Sequence, residues 1–363
     1  MRMAALAAVG AARELPLAAR VQVIAHRGAS ARRPEHTLAA YALAVAEGAD
    51  VIEPDLVMSR DGALVARHEN EIGATTDVAA HACFAARRTT KTIDGVRVDG
   101  WFSEDFTLAE LKTLRARERL PALRGTAYDG AFPIATLEEI IELVASEAAA
   151  RGRAIGLMPE IKRGTYFQRL RLPMEERLLA TLAAHPYTRT APVEIQSFEI
   201  ANLRHLRARL GRAHPSIRLL QLIDAPDRQP FDVIATGGAR RYADLLTPTG
   251  LREVAGYADA IGPDARLVVP LRPDGSFDHP TTLVRDAHAA GLEVHAYTFR
   301  PENIFLPRSL WCGDDPACLN EAGSLAEIRR YLDAGIDAFF TDDPAIGRKA
   351  VDACRGDGSL SPS

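Results

Sequence analysis

Cysteine is scarce in this chain: four residues in 363, with no Cys-x-x-Cys pair among them. Without such pairs the sequence carries no thiolate zinc signature. Long apolar runs are also missing. None approaches the roughly 18 residues of a membrane-spanning helix, so no stable membrane insertion is expected. Nor does one charge dominate: 44 Lys and Arg against 48 Asp and Glu leave a formal net charge of −4. That balance offers no basic surface for nucleic acid. Internal repeats and low-complexity linkers are absent too. What is there is ordinary for a globular protein, 47% hydrophobic and 25% charged residues. The length suits one barrel of about 250 residues plus insertions. Nothing in the composition speaks to oligomeric state.

The two ends differ from the middle. Met1-Arg2-Met3 and an Ala-rich run to Ala12 resemble a secretory leader, cut short by Arg13 and Glu14. Residues 1–20 are read as that leader, with an early start codon or amphipathic segment as the alternative. Residues 21–348 are read as the folded domain and 349–363 as a flexible tail. Cys312 and Cys318 stand six apart around Gly313 and Pro316, a spacing that permits a local disulfide. Leader and disulfide together point to a periplasmic or secreted protein, with a cytoplasmic one as the alternative.

Between the ends, short apolar runs alternate with helical patterns, the signature of a parallel sheet built from βα units. Strands are expected at 21–25, 50–56, 154–160, 192–197, 217–222, 258–262, 292–298 and 337–341. Thr37 can cap a helix whose apolar face is Leu38, Tyr41, Ala42 and Val45, stopped by Gly48. Thr136 and Glu139 form a capping box ahead of Ile140, Ile141 and Val144. Further helices are expected near 174–184, 199–210, 280–290 and 324–334. Eight units are what a closed (β/α)8 TIM barrel requires, with an open doubly wound sheet as the alternative. Residues 70–133 break the alternation and read as an insertion between the second and third units.

The chemistry sits where loops leave the strands. His26 follows the first strand and can exchange protons near neutral pH, while Arg27 can grip a phosphate. Glu53 and Asp55 lie two apart on the second strand, so both point to one face, the barrel interior. Two inward carboxylates need cations or solvent. Ser59-Arg60-Asp61-Gly62 is a turn that would return His68 to the mouth beside His26. Two imidazoles flanking one phosphorus could serve as acid and base. Glu160 ends the third strand, with Lys162 two residues on. Three oxygen ligands without Cys suit a hard divalent metal, Ca²⁺ or Mg²⁺.

Together these motifs resemble one family. His26-Arg27-Gly28-Ala29, Pro34-Glu35-x-Thr37, Gly48-Ala49-Asp50-x-Ile52-Glu53-Pro54-Asp55, Asp61-Gly62 and His68 are similar, in order, to the glycerophosphodiester phosphodiesterases. Pro159-Glu160-Ile161-Lys162, Gln196-Ser197-Phe198, Tyr297-Thr298-Phe299-Arg300 and Thr341-Asp342-x-Pro344 carry the likeness to residue 345. The 70–133 segment, with Trp101-Phe102 and Asp105-Phe106-Thr107-Leu108, resembles a branch whose bacterial members are often periplasmic and use Ca²⁺.

The resemblance implies a barrel that hydrolyses a small glycerophosphodiester to glycerol 3-phosphate and an alcohol. It implies His26 and His68 as the acid–base pair, Arg27 on the phosphate and Lys162 as a phosphate contact. Glu53, Asp55 and Glu160 would hold the metal. Gln196 is a candidate substrate contact and Tyr297 a candidate wall of the glycerol pocket; a structural amide and core packing are their alternatives. Asp342 and Asp343 are expected to cap the loop into the last helix. His36, where Asn is usual, and Glu69, where Asp is usual, depart from the pattern and bear on substrate preference. Two other functions share the motifs: a phospholipase D or sphingomyelinase D-like enzyme on lysophospholipids, and a catalytically silent phosphodiester binder. The attacking group, water or the glycerol 2-hydroxyl, is left open.

Overall fold

Alternation along the first strand sets the plan of the molecule. In β1 (Gln22–His26), Val23 and Ala25 join the large core beneath the helices, while Ile24 belongs to a second, smaller apolar cluster. That second cluster, with Val51, Met158, Leu220, Ala260 and Ala338, fills the inside of a ring of strands. The structure, a computed structural model, describes residues 21–356 except 213 and 215. The expected leader, residues 1–20, lies outside the described residues.

The strands follow in chain order: β2 (Val51–Glu53), β3 (Asp55–Met58), β4 (Leu64–Ala66), β5 (Thr89–Ile93), β6 (Val96–Gly100), β7 (Gly156–Leu157) and β8 (Glu160–Ile161). Then come β9 (Val193–Ser197), β10 (Ile217–Ile223), β11 (Ala260–Pro263), β12 (Glu293–Phe299) and β13 (Ala338–Thr341). β1, β2, β7, β9, β10, β11, β12 and β13 pair in parallel all the way round, β13 returning to β1. The ring is closed, a (β/α)8 barrel, and the open-sheet alternative is excluded.

The helices between the strands begin where their caps predict. Thr37 accepts the Ala40 N–H ahead of helix Leu38–Ala46, and Thr136 with Glu139 makes both bonds of a capping box on Leu137–Arg151. Helices Met174–Ala184, Ile200–Leu210 and Leu283–Ala289 fall in their expected places. Helix Glu321–Asp333 starts three residues before the expected 324, because the Asn320 side chain accepts the Gly323 N–H.

Two expectations need correction. Residues 349–356 are the last turns of helix Pro344–Gly356 rather than part of a flexible tail, since Ala350 and Val351 are buried against the barrel. Cys312 and Cys318 are both free thiols and form no disulfide. Their loop is closed by an amide instead. Asn303 Nδ2 donates to Cys312 O and Asp315 O, both at 2.9 Å, and Asn303 N donates to Cys318 O at 2.9 Å.

Two expected strands are each broken by a proline. Pro54 separates β2 from β3, and Pro159 precedes β8, so each stave is interrupted and resumes in the same sheet. β3 pairs with β8 and β8 with β9, and the antiparallel β4 adds to that sheet at β3. The segment between β4 and β7 carries the β5–β6 hairpin and short helices, including Leu108–Leu111 with a Thr107–Glu110 capping box and Pro121–Arg124.

Candidate active site

Strand parity and register assemble the site. His26 shares the inward parity of Ile24, and Glu53 that of Val51; the two are cross-strand partners at the ends of β1 and β2. One layer up, Asp55 is registered with Glu160, and Glu160 with Gln196. Glu53, Asp55 and Glu160 therefore converge, with one carboxylate oxygen from each within 4.8 Å of the others. The turn after β1 closes this floor. Gly28 has φ +89°, and a Cβ there would lie 2.7 Å from the Ala40 carbonyl carbon, so only glycine fits.

Each carboxylate is held. Glu53 accepts the Arg27 backbone N–H at 2.9 Å and Gln196 Nε2 at 2.9 Å. Asp55 faces His36 Nε2 at 2.9 Å, Arg27 Nε at 3.1 Å and Lys162 Nζ at 3.2 Å. Glu160 pairs with Lys162 Nζ at 2.7 Å. Burial, then the charges of Asp55 and Glu160, push Glu53 well above the usual carboxylate range. Burial likewise raises Glu160 to about 8 against the pull of Lys162. For Asp55 burial is outweighed by Lys162 and Arg27, which hold it well below that range.

Three acids in so dry a place are under-neutralised by two cations, Arg27 and Lys162. Oxygens sharing one hard cation at roughly 2.0–2.6 Å lie no more than about 5 Å apart, which matches the spacing here. The all-oxygen donor set fits a divalent cation and no soft metal.

Both histidines reach the same cavity, about 290 Å³, which Glu53, Glu160 and Lys162 also line. His26 Nδ1 is 2.6 Å from Asp342 Oδ1. Asp342 is held well below its ordinary range: burial opposes this, but Arg124, Arg300 and His26 prevail. An ionised Asp342 makes Nδ1 the protonated nitrogen and leaves Nε2 free. Burial, then the Arg27 charge, lower His26 to about 4. His68 Nδ1 bonds to Glu69 in the same way, and burial with the charges of Arg27 and Lys162 lowers its pKa. The far wall is apolar: Tyr297 packs edge-on against Phe198 and Phe340, with centroids 6.1 and 6.4 Å away.

All nine candidate residues line or border this one centre, and the four substrate-contact candidates each have partners within the protein as well. Arg27 spends its guanidinium on Glu35 (3.0 Å) and Asp55 (3.1 Å), because it is buried among acids. Lys162 sits on Asp55 and Glu160; the β8 strand ends between Glu160 and Lys162, which lets the two side chains meet. Gln196 orients Glu53, leaving its buried Oε1 without a partner. The Tyr297 hydroxyl is bound to Ile223 O at 2.6 Å, so only its ring faces the cavity. Asp343 caps the last helix by accepting the Ile346 N–H, as expected. Asp342 does not; it is the partner of His26. His36 grips Asp55 directly, and its departure from the usual Asn was the one visible signal.

Comparison with known proteins decides the family. The glycerophosphoryl diester phosphodiesterase family model matches residues 26–346. The chain belongs to this family. A glycerophosphodiester phosphodiesterase of Arabidopsis thaliana, GDPD6, is 33% identical over 88% of this chain and 82% of its own. That of Haemophilus influenzae is 29% identical over 87% and 88%. Among solved structures, an Oleispira antarctica phosphodiesterase in complex with the product sn-glycerol-3-phosphate has a TM-score of 0.55 at 22% identity, covering 91% of this chain and 96% of that one. A glycerophosphodiester phosphodiesterase of Agrobacterium tumefaciens has a TM-score of 0.53 at 17% identity, covering 91% and 99%. At such identities the structural likeness speaks for the shared barrel alone. As in this family, a buried acidic triad suited to a divalent metal lies at the barrel mouth. No helix among the described residues is long and apolar enough to cross a membrane.

Proposed function

We propose that this family member hydrolyses glycerophosphodiesters to glycerol 3-phosphate and an alcohol, with His26 and His68 moving the protons. The observation that carries the reading is that two imidazoles, each backed by its own carboxylate, line one cavity with Glu53 and Glu160 of the acid triad. Glu53, Asp55 and Glu160 would hold Ca²⁺ or Mg²⁺. When bound, the cation would neutralise charge on the phosphate oxygens. Lys162 adds positive charge at the same wall. The free nitrogen of one imidazole takes the proton of the attacking hydroxyl. The other serves as the acid only as an imidazolium, having taken up a proton from solvent when the anionic substrate binds, and returns that proton to the departing alkoxide. Phe198, Tyr297 and Phe340 exclude water from one side and offer an apolar face to carbon–hydrogen surface. The names of the relatives favour this substrate over the lysophospholipid alternative, and the intact acid–base pair favours an enzyme over a silent binder.

The test is release of glycerol 3-phosphate from glycerophosphocholine by the purified chain, with Ca²⁺, with Mg²⁺ and with chelator. Turnover with one cation and none with chelator is expected; no release under any condition would overturn the reading. His26→Ala and His68→Ala should each stay folded and lose about 10²-fold or more in kcat. Near-normal turnover in either would remove that residue from the reaction.

A further inference from the structure

Behind each imidazole–carboxylate pair stands a guanidinium, and both come from one six-residue stretch of the segment between β4 and β7. Arg124 is buried, its side chain 6% exposed. Its Nη2 donates to Asp342 Oδ2 at 2.7 Å, on the carboxylate whose other oxygen holds His26. Its Nε donates to Glu302 at 2.6 Å and its Nη1 to Ser30 O at 2.8 Å, so the fork cannot swing away. Arg119 repeats the arrangement on the other side. Its Nη2 donates to Glu69 Oε2 at 2.6 Å, and Glu69 holds His68. Its Nε and Nη2 also bind Glu35 at 2.8 and 2.7 Å, and Glu35 in turn holds Arg27.

The stretch is itself fixed. Pro121 opens its single helical turn, and Leu120 N–H donates to Glu118 Oε1 at 2.8 Å. Arg119, Leu120 and Arg124 wall a cavity of about 180 Å³ that adjoins, across His26, Arg27, Arg300 and Phe305, the 290 Å³ cavity lined by Glu53 and Glu160. Neither arginine lines that front cavity, and both spend their donors on carboxylates and backbone oxygens behind the imidazoles.

We infer that Arg119 and Arg124 are positioning residues, through which the segment between the second and third barrel staves fixes the orientation and tautomer of both imidazoles. A carboxylate shared between an imidazole and a guanidinium fork stays ionised and in plane. It then accepts the Nδ1 proton without taking it, and the opposite nitrogen stays aimed at the cavity. The groups facing His26 are Asp342, Arg27 and Arg300; those facing His68 are Glu69, Arg27, Lys162 and Asp55. Arg300 also lies 3.1 Å from Asp342, from a more exposed position, so loss of Arg124 leaves Asp342 charged but held on one side only. The inference rests on the histidine roles proposed above.

The experiment uses the full chain loaded with the cation that supports turnover. Arg124→Met should lower kcat by about 10- to 100-fold while KM moves less than about threefold, since geometry at the proton-transfer step is lost and substrate contacts are not. Arg124→Lys should recover part of the loss, because an ammonium can sit on Asp342 but cannot reproduce the planar fork that also holds Glu302 and the Ser30 carbonyl. Nitrogen-15 NMR of His26 should show one Nδ1-protonated tautomer in the wild type and a mixture in Arg124→Met. Arg119→Met carries the same test at His68 should Arg124→Met fail to fold. A folded arginine variant with wild-type kcat and an unchanged imidazole signal would overturn the inference. His26→Ala separates the two levels. Should it keep normal turnover, the histidine reading itself falls; should it be inactive while Arg124→Met is normal, only the present inference does.

Discussion

Glu160 concentrates the electrostatic problem of the site. It is buried beside Asp55 and Glu53, and among the described residues its compensating ion pair is with Lys162 at 2.7 Å. With its pKa near 8 it carries a proton at neutral pH when no metal is bound. A cation must displace that proton, so metal affinity should climb as pH rises from about 6 to about 8 and then level off. Glu160→Gln mimics the protonated form. Its metal-free melting temperature should match or exceed that of the wild type, while affinity for Ca²⁺ and Mg²⁺ drops at least about tenfold and depends less steeply on pH, the remainder coming from Glu53. Calorimetric titration at several pH values measures both, and equal affinities for the two proteins would mean that Glu160 is no ligand. Much at this scale was legible: the inward parity of Glu53 and the residue types of a hard-cation site come directly from the chain. The partners were not. Asp342 meets His26 across 316 positions of sequence, and no local pattern encodes such a meeting.

Secondary elements show why local reading succeeded so widely here. Caps and apolar periodicity are short-range, and they placed helices Leu38–Ala46 and Leu137–Arg151 at their true starts. The Thr136 hydroxyl accepts the Glu139 N–H at 3.2 Å, and Glu139 Oε2 accepts the Thr136 N–H at 2.9 Å. Thr136→Ala should cost about 1 kcal/mol and lower the melting temperature by about 1–2 °C with no change in turnover. A drop in kcat at unchanged stability would contradict so purely local a role. Reading failed where a long-range pairing competes with a local pattern. The runs 50–56 and 154–160 look continuous, yet each is split at a proline, and beyond the break β3 pairs with β8 and β8 with β9 in the same sheet. That split lifts Asp55 and Glu160 one layer above Glu53, which gives the triad its depth.

For the whole molecule, the barrel has a charged layer at its base as well as a charged site at its mouth. His295, on the inward face of β12, is 3.1 Å from both Glu194 and Glu293, and Arg218 lies 2.9 Å from Glu293. Burial lowers the His295 pKa, but Glu194 and Glu293 outweigh it and raise it to about 9. A folded pKa above the unfolded value near 6.5 contributes stability that is complete below about pH 6.5 and lost as pH rises through about 9. His295→Gln should therefore be less stable than wild type in urea at pH 6, by on the order of 3 kcal/mol, with the gap closing by about pH 9.5. A gap that stays constant with pH would show that His295 contributes by shape alone. The chain by itself determined its eight βα units, and with them the closed barrel, because apolar alternation and capping are properties of neighbours in sequence. It also determined which side chains stand at the strand ends, since parity follows from counting. Only the tertiary structure decided what those side chains do. Arg27, Lys162 and Gln196 turn towards acids rather than into open space, and a loop expected to close through sulfur closes through Asn303. The physical reason is that a buried charge takes whichever opposite partner chain closure brings within about 3 Å. That choice is made only when the ring is complete.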